Sequence, residues 1–318
     1  MPNWGAVLQQ IQNQQQQGDD TPFETVRRHH LQRLADYTDR NSILYSTGWT
    51  EGSDSHASHQ IQRSDVHGFM EAVSGFDTHE DLDLVIHSPG GSPEAAEQII
   101  DYLRALFENI RIIVPEAAMS SASLMCCAAD KVIMGKHSAL GPVDPQLSIN
   151  TGLGRRVVPA HAILDQFDSA REEYHESDDI GPWGPMIPQY GPSLIAECED
   201  AIELSEELAK TWAEEYMFSD ANDAENRAAE LAKTLASRNE FRSHGRPISV
   251  SKAEELGFDV KRLESDQELQ DRVLSTFHAA TLTHRSLGIV KMIENQKGNN
   301  YLVQSADETQ GESGGDDA

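Results

Sequence analysis

The chain has 318 residues, 53 of them acidic and 25 basic, so its formal net charge is −28 at pH 7. Such a charge argues against nucleic acid or an anionic membrane surface as a partner, because both would repel the protein and gain nothing from counterion release. No segment approaches about 18 uninterrupted apolar residues, so membrane insertion is not expected either.

The lysine and cysteine content and the spacing of possible metal ligands bear on the cell compartment and on cofactors. Acid-rich, lysine-poor chains resemble proteins of salt-loving organisms, in which salt screens the self-repulsion. Three cysteines are present, Cys126, Cys127 and Cys198, and we interpret them as small buried hydrophobes rather than as a disulfide framework. This pattern predicts a cytoplasmic location. No cysteine or carboxylate spacing completes a metal site, and no metal or cofactor is expected.

The N-terminal third alternates polar segments with short predicted elements. Residues 1–22 are rich in glutamine and predict a mobile arm with one short helix. Residues 23–40 predict a helix, and a strand begins near Ile43. After a polar loop, a second helix is expected over residues 66–73.

The segment from Asp81 to Gly135 has the pattern of alternating strands and helices. An apolar strand, LDLVIH, leads into a Ser-Pro-Gly-Gly turn, and a strong helix follows with Ser92 as its N-cap and Pro93 in its first turn. IRIIVP predicts the next strand, MSSASLMCCAAD a buried helix beginning near Ser120, and KVIMG a third strand. Repeated strand–helix–strand units predict right-handed crossovers and a largely parallel sheet.

The C-terminal half is predicted to be mostly helical. After LGPVDPQ we expect a loop, and then a helix over residues 159–176. A long acidic helical stretch is expected from about 193 to 238, with a break near 218–222. A further helix is predicted over residues 266–296, and the acidic residues 305–318 predict a disordered tail.

A glycine turn and a serine are expected to meet at one edge of this sheet. Gly90 and Gly91 follow one strand, and Ser120 follows the next. The carboxyl ends of adjacent parallel strands lie side by side, and ligands bind there. Ser120 could therefore act as a nucleophile, with the amides of Gly91 and Ser121 stabilising an oxyanion. Without the paired glycine turn, an ordinary N-cap would be the better interpretation of Ser120.

A serine nucleophile needs a base, and the sequence offers several. Lys136 and His137 are candidates, although both have the pattern of surface-loop residues. His161 lies at the predicted start of a helix after Pro159, and it is the candidate we favour.

Other polar residues have secondary or undefined roles. Asp144 and Asp165 are possible orienting acids, and Asp144 could equally be a turn residue. His87 is expected to support the glycine loop through a hydrogen bond. His244, in RSHGRPIS, is left without a role.

The runs HSPGGSPEAAEQIIDYL, VPEAAMSSAS and AADKVIMGKHSALGPVDPQ carry a resemblance to a known family. They resemble the serine dehydrogenase proteinase (SDH proteinase) family, a ClpP/SppA-like group of Clp-fold serine peptidases in the ClpP/crotonase superfamily. The likeness covers roughly residues 23–304. It departs from the usual pattern after the serine, where Ala or Met and then Gly are common and this chain has Ser121 and Ala122.

The resemblance implies an α/β fold of stacked ββα units with a largely parallel sheet, here followed by a helical C-terminal region. The expected division is a Clp/crotonase-like core over residues 23–265 and a helical extension over 266–304. The resemblance also implies a homo-oligomer that hydrolyses peptide bonds in a peptide or protein substrate. It assigns the nucleophile to Ser120 and the oxyanion turn to Gly90 and Gly91.

The sequence leaves open three functions from different classes. The first is a serine peptidase, ATP-independent by itself, with Ser120 as nucleophile and His161 as base. The second is a non-catalytic Clp-fold assembly that binds peptides or a partner protein. The third is a crotonase-type acyl-CoA enzyme, since crotonases share the fold and use a backbone oxyanion hole.

Overall fold

The computed structural model describes residues 4–51, 57–152, 154–177, 181 and 183–304. The expected disordered tail at 305–318 lies outside the described residues.

A seven-stranded, mostly parallel sheet forms the centre of the fold. Its strands are β1 (Asn41–Thr47), β2 (Leu82–His87), β3 (Ile110–Val114), β5 (Lys131–Met134), β10 (Val260–Arg262), β11 (Ile289–Asn295) and β12 (Asn300–Gln304). The strand order is β10-β5-β3-β2-β1-β11-β12, and the first five strands are parallel. This arrangement confirms the predicted α/β class with a largely parallel sheet.

The central strands β2, β3 and β5 have near-continuous apolar sequences and are mostly buried, as expected for strands covered on both faces, whereas the edge strands β10 and β12 are partly exposed. Neighbouring residues point to opposite faces, so Leu84 and Val85 of β2 belong to different core clusters. The larger cluster packs against helices that cover one face. The smaller one includes Leu31 and Val273 from two helices on the other face.

Eleven α-helices surround this sheet within the described residues. They are α1 (Trp4–Gln16), α2 (Pro22–Thr38), α3 (Asp65–Val73), α4 (Pro93–Arg104), α5 (Ser121–Cys127), α6 (Ala160–Ser177), α7 (Leu194–Trp212), α8 (Ala224–Leu235), α9 (Arg238–Phe241), α10 (Val250–Glu255) and α11 (Gln267–Leu287). A π-helical segment, Ala213–Met217, continues α7 and ends at the break expected near 218–222. No helix of the described residues is both long enough and apolar enough to span a bilayer.

Five short strands lie outside the central sheet. They are β4 (Ala117–Ala118), β6 (Ala139–Leu140), β7 (Gln146–Thr151), β8 (Gly154–Pro159) and β9 (Ile248–Ser249). β4, β6 and β9 form a small three-stranded sheet, and β7 and β8 form a hairpin. The sequence predicted only a loop in the region of this hairpin.

The two ends of the chain differ from the sequence prediction. The helix expected over residues 266–296 ends at Leu287, and Ile289–Asn295 instead forms β11. Gly288 adopts φ +63°, a left-handed conformation that ends the helix, and the following IVKMI segment is rich in strand-favouring residues. At the N-terminus, α1 buries Val7 and Ile11 against α2 and α11, so this part of the expected mobile arm is packed.

Three buried histidines make the fold sensitive to acid. Burial lowers the pKa of His30 and of His284 to about 4, and that of His87 to about 3. Between pH 6.5 and 4 the unfolded chain binds protons that the folded protein does not accept. We therefore expect the free energy of unfolding to fall on acidification, by up to about 1.4 kcal/mol per pH unit for each histidine.

Urea unfolding measured between pH 7 and pH 4.5 tests this expectation. The variant His284→Gln should show a shallower slope, because it removes one of the three proton-binding groups. An unfolding free energy that stays flat or rises between pH 6.5 and pH 5 would contradict the account.

Candidate active site

The turn after β2 lies directly against the segment that carries Ser120. Ser88 pairs in parallel with Ala118: its amide donates to Ala117 O at 3.1 Å, and its carbonyl accepts from Met119 N at 3.0 Å. These bonds hold Gly90 against residues 119–121. The structure thus brings Ser120 and the Gly90–Gly91 turn together, as their places at adjacent strand ends predict.

Gly90 is required here for both conformation and space. Its φ is +88°, and a Cβ would lie 2.4 Å from Met119 O and 2.7 Å from Ser120 Cβ. We expect Gly90→Ala to destabilise the fold by about 2–4 kcal/mol and to displace Ser120. Urea denaturation measures the first effect, and a hydrolytic assay the second.

Gly75 supplies the matched control for this substitution. Its φ of +78° is similar, but a Cβ there would meet nothing within 4 Å. Gly75→Ala should cost only the backbone strain, about 1 kcal/mol. Equal losses in the free energy of unfolding for Gly90→Ala and Gly75→Ala would contradict the close approach of Gly90 to Ser120.

Ser120 has a backbone conformation that a serine rarely adopts. Its φ is 52° and its ψ is −123°. The other non-glycine residues with positive φ in the described part of the chain, Asp39 and Arg242, are ordinary left-handed helix C-caps. Strain of this kind costs about 1–3 kcal/mol and clusters at functional sites.

The Ser120 side chain does not act as a helix cap. Ser120 occupies the N-cap position of α5, yet its hydroxyl makes no capping hydrogen bond. The residue is half-buried and lines a cavity of about 550 Å³. The simple N-cap interpretation of this serine is therefore not supported by the geometry.

Two backbone amides next to Ser120 are available to a ligand. Gly91 and Ser121 both line the same cavity. Within the described residues, neither amide donates a hydrogen bond to the protein, although buried amides are normally paired. Both are the amides expected from the sequence to hold an oxyanion. Ala122, in contrast, packs in the apolar core, and its methyl group is not part of the cavity wall.

His244 lines this cavity and contacts the buried carboxylate of Asp144. His244 Nδ1 lies 2.9 Å from Asp144 Oδ1. The Asp144 side chain is 5% exposed and that of His244 is 30% exposed. A carboxylate acceptor at Nδ1 favours the tautomer that carries its proton there, and this leaves Nε2 as the basic nitrogen. His244 and Ser120 both contribute to the cavity wall.

The small sheet explains why three distant residues converge. β4 pairs in parallel with β6 through Ala118 and Leu140, and Ser120 follows β4 by two residues. β6 pairs antiparallel with β9 through Leu140 and Ile248. Asp144 comes four residues after Leu140, and His244 four residues before Ile248, so the antiparallel register leads directly to their contact.

His161 is not placed with Ser120, contrary to the expectation that it is the base. Its Nε2 lies 3.2 Å from Ala236 O, and its side chain lines a different cavity together with Glu199 and Lys233. The helix start expected near Pro159 is present, since α6 begins at Ala160. However, the unpredicted β7–β8 hairpin precedes α6 and separates this helix from LGPVDPQ.

The alternative bases and the second candidate acid also lie elsewhere. Lys136 and His137 are exposed, and neither lines the cavity of Ser120. The Lys136 amide donates to Glu264 Oε1 at 2.8 Å. Asp165 pairs with Arg238. Of the two acids proposed from the sequence, only Asp144 contacts a histidine at this cavity.

The other walls of the cavity are mixed in character. The β7–β8 hairpin contributes Arg155 and Val157, and α7 contributes Leu204 and Ser205. Arg155 Nε donates to Ser148 Oγ at 2.6 Å. The Ser121 hydroxyl is buried without a hydrogen-bond partner among the described residues.

Comparison with known proteins supports the resemblance seen in the sequence. Residues 59–180 match the family described as ClpP-like SDH-type serine proteinases. Two uncharacterized proteins of Methanocaldococcus jannaschii are similar to this chain. One is 31% identical over 201 residues, 63% of this chain and 60% of the relative. The other is 32% identical over 185 residues, 58% of this chain and 53% of the relative. The chain thus spans less than two-thirds of either relative.

Proposed function

We propose that this chain, whose residues 59–180 match the ClpP-like SDH-type serine proteinases, hydrolyses peptide bonds through an acyl-enzyme on Ser120. The observation that carries the proposal is the strained, uncapped Ser120 in the same cavity as His244, which is paired with Asp144. A nucleophile, a base and an orienting acid are the parts that acyl transfer requires.

The proposed reaction starts with proton transfer from Ser120 Oγ to His244 Nε2. Oγ attacks the peptide carbonyl, and the amides of Gly91 and Ser121 donate hydrogen bonds to the resulting oxyanion. The Asp144 carboxylate orients the imidazole and stabilises its cationic form. His244 then gives the proton to the leaving amine, which departs and leaves an ester on Ser120. In the second half, His244 takes a proton from a water molecule, whose oxygen attacks the ester carbonyl. The bond to Ser120 Oγ then breaks, His244 returns the proton to Oγ, and the acyl part leaves as a peptide with a free carboxyl group.

Two features of the sequence favour the non-catalytic alternative: the base is incomplete, and Ser121 and Ala122 stand where Ala or Met and then Gly are usual. The His244–Asp144 contact bears on the first feature, and the position of Ala122 in the apolar core, outside the cavity wall, bears on the second. Both observations support the peptidase proposal. A homo-oligomer, a cytoplasmic location and a protein substrate remain predictions. The first and third are supported by the ClpP-like family match, and the second by the three buried free thiols, Cys126, Cys127 and Cys198.

Active-site titration with an activated ester of an acylated leucine tests the proposed function. A serine acyl-enzyme should give a burst of leaving group equal to the enzyme concentration, followed by slower turnover. The Ser120→Ala variant should give no burst. Absence of both burst and peptide hydrolysis in the intact protein, together with measurable peptide binding, would favour the non-catalytic assembly.

A further inference from the structure

A buried ion pair lies behind the Gly90–Gly91 turn. Lys291 Nζ lies 2.7 Å from Asp65 Oδ1 and 2.9 Å from Oδ2, and the two side chains are 2% and 1% exposed. Burying two charges is costly unless all their hydrogen-bonding capacity is used. The third proton of the ammonium group is also used, since Nζ donates to Gln60 O at 2.7 Å.

The Asp65 carboxylate also accepts two hydrogen bonds from neighbouring groups of the protein. Its Oδ2 accepts hydrogen bonds from Tyr45 Oη at 2.9 Å and from the Gln62 amide at 3.0 Å. The ion pair therefore holds the main chain at residue 60 through Lys291 and at residue 62 through Asp65. These two anchors flank Ile61 on either side.

Ile61 is the residue that pairs with the oxyanion turn. Its amide donates to Gly90 O at 2.8 Å, and its carbonyl accepts from Ser92 N at 3.0 Å. A Cβ on Gly91 would lie 2.4 Å from both Ile61 N and Ile61 O. The position of Ile61 therefore fixes where the Gly91 amide points. Gly91 and Gln60 both line the cavity of Ser120.

We infer that the Lys291–Asp65 ion pair is a positioning device that orients the Gly91 amide toward the oxyanion. This inference rests on the proposed peptidase function. Lys291 lies on β11 and does not line the cavity, so it acts only through Gln60, Ile61 and the turn. A buried apolar pair could fill the same space, but it could not hold two main-chain groups on either side of Ile61.

The test compares Lys291→Met with Arg27→Met in the full chain. Arg27 is also buried and pairs with Glu294 of the same strand, with side-chain exposures of 2% and 0%, and its described hydrogen bonds go to Glu294 and Thr283. Both variants should lose thermal stability. Only Lys291→Met should lower kcat, by about 10–10²-fold with KM changed less than about threefold, because a displaced oxyanion donor acts in the transition state.

A double variant separates positioning from stability. Asp65→Leu with Lys291→Met removes both buried charges and should recover much of the lost melting temperature while kcat stays low. Recovery of kcat together with stability would overturn the inference, as would an unchanged kcat in Lys291→Met. It would also be overturned if Arg27→Met lowered kcat equally. In each of these outcomes the wild-type protein still hydrolyses substrate, whereas failure of the proposed function would leave the wild type itself inactive.

Discussion

Replacing Ser120 by alanine is expected to lower peptide hydrolysis on the order of 10⁴–10⁶-fold, because the proposed mechanism loses its nucleophile. The fold should remain intact. The Ser120 hydroxyl makes no capping bond, so alanine removes no interaction that stabilises α5. Steady-state hydrolysis and urea unfolding of the same preparation measure the two effects.

Ser120→Gly is the informative companion of this variant. Glycine relieves the strain at φ 52°, and this gain opposes the greater freedom that glycine has in the unfolded chain. We expect Ser120→Gly to be inactive and at least as stable as the wild type. An ordinary N-cap serine would instead cost about 0.5–2 kcal/mol on replacement by alanine. Such a loss, with activity retained within tenfold, would contradict the role of Ser120.

Replacing His244 by alanine is expected to lower kcat by about 10²–10⁴-fold, the usual effect of removing a general base. Because the Asp144 carboxylate is 5% exposed and would lose this partner, the free energy of unfolding should also fall by about 1–3 kcal/mol, and kcat is measured under conditions in which the variant is folded. Asp144→Asn should lower kcat over a similar range, because the amide no longer favours the productive tautomer.

His161→Ala is the matched control, since it removes a histidine from a neighbouring cavity. Its side chain contacts Ala236 O and does not line the cavity of Ser120. We expect its kcat to stay within about twofold of the wild type. A large loss of kcat in His161→Ala combined with a small loss in His244→Ala would restore His161, the base favoured from the sequence.

The parts of the site that lie next to a strand could be predicted from the sequence. Gly90 and Ser120 each follow an apolar run that predicts a parallel strand, and the ends of adjacent parallel strands meet by geometry. The same reasoning explains why the central sheet was predicted through β5. Each of these inferences uses residues within about one strand–helix unit of each other.

The proposed general base, His244, could not be predicted from the ends of adjacent parallel strands. His244 comes 124 residues after Ser120, and it reaches the site through pairing of the two-residue strands β6 and β9. Strands this short carry no periodic signal. The sequence did offer Asp144 as a possible orienting acid, but nothing in it gives the strand register that joins Asp144 to His244.

The C-terminal strands illustrate a second limit. Residues 289–295 continue an apolar pattern that follows a helix, and this pattern predicted that the helix runs through them, whereas they form β11. Short apolar runs do not distinguish a buried helix from a strand. For this reason the ion pair between Lys291 and Asp65 could not be predicted from the sequence, since it depends on the pairing of β11 with β1.

The most direct test of the account is labelling with a fluorophosphonate probe, followed by mass-spectrometric location of the adduct. Serine must be activated by a base to react, so the probe reports the nucleophile and its base without a known substrate. We predict a single adduct on Ser120, formed at the wild-type rate in His161→Ala and at least about tenfold more slowly in His244→Ala. An adduct on another residue, or equal labelling rates in the wild type and His244→Ala, would contradict the proposed active site.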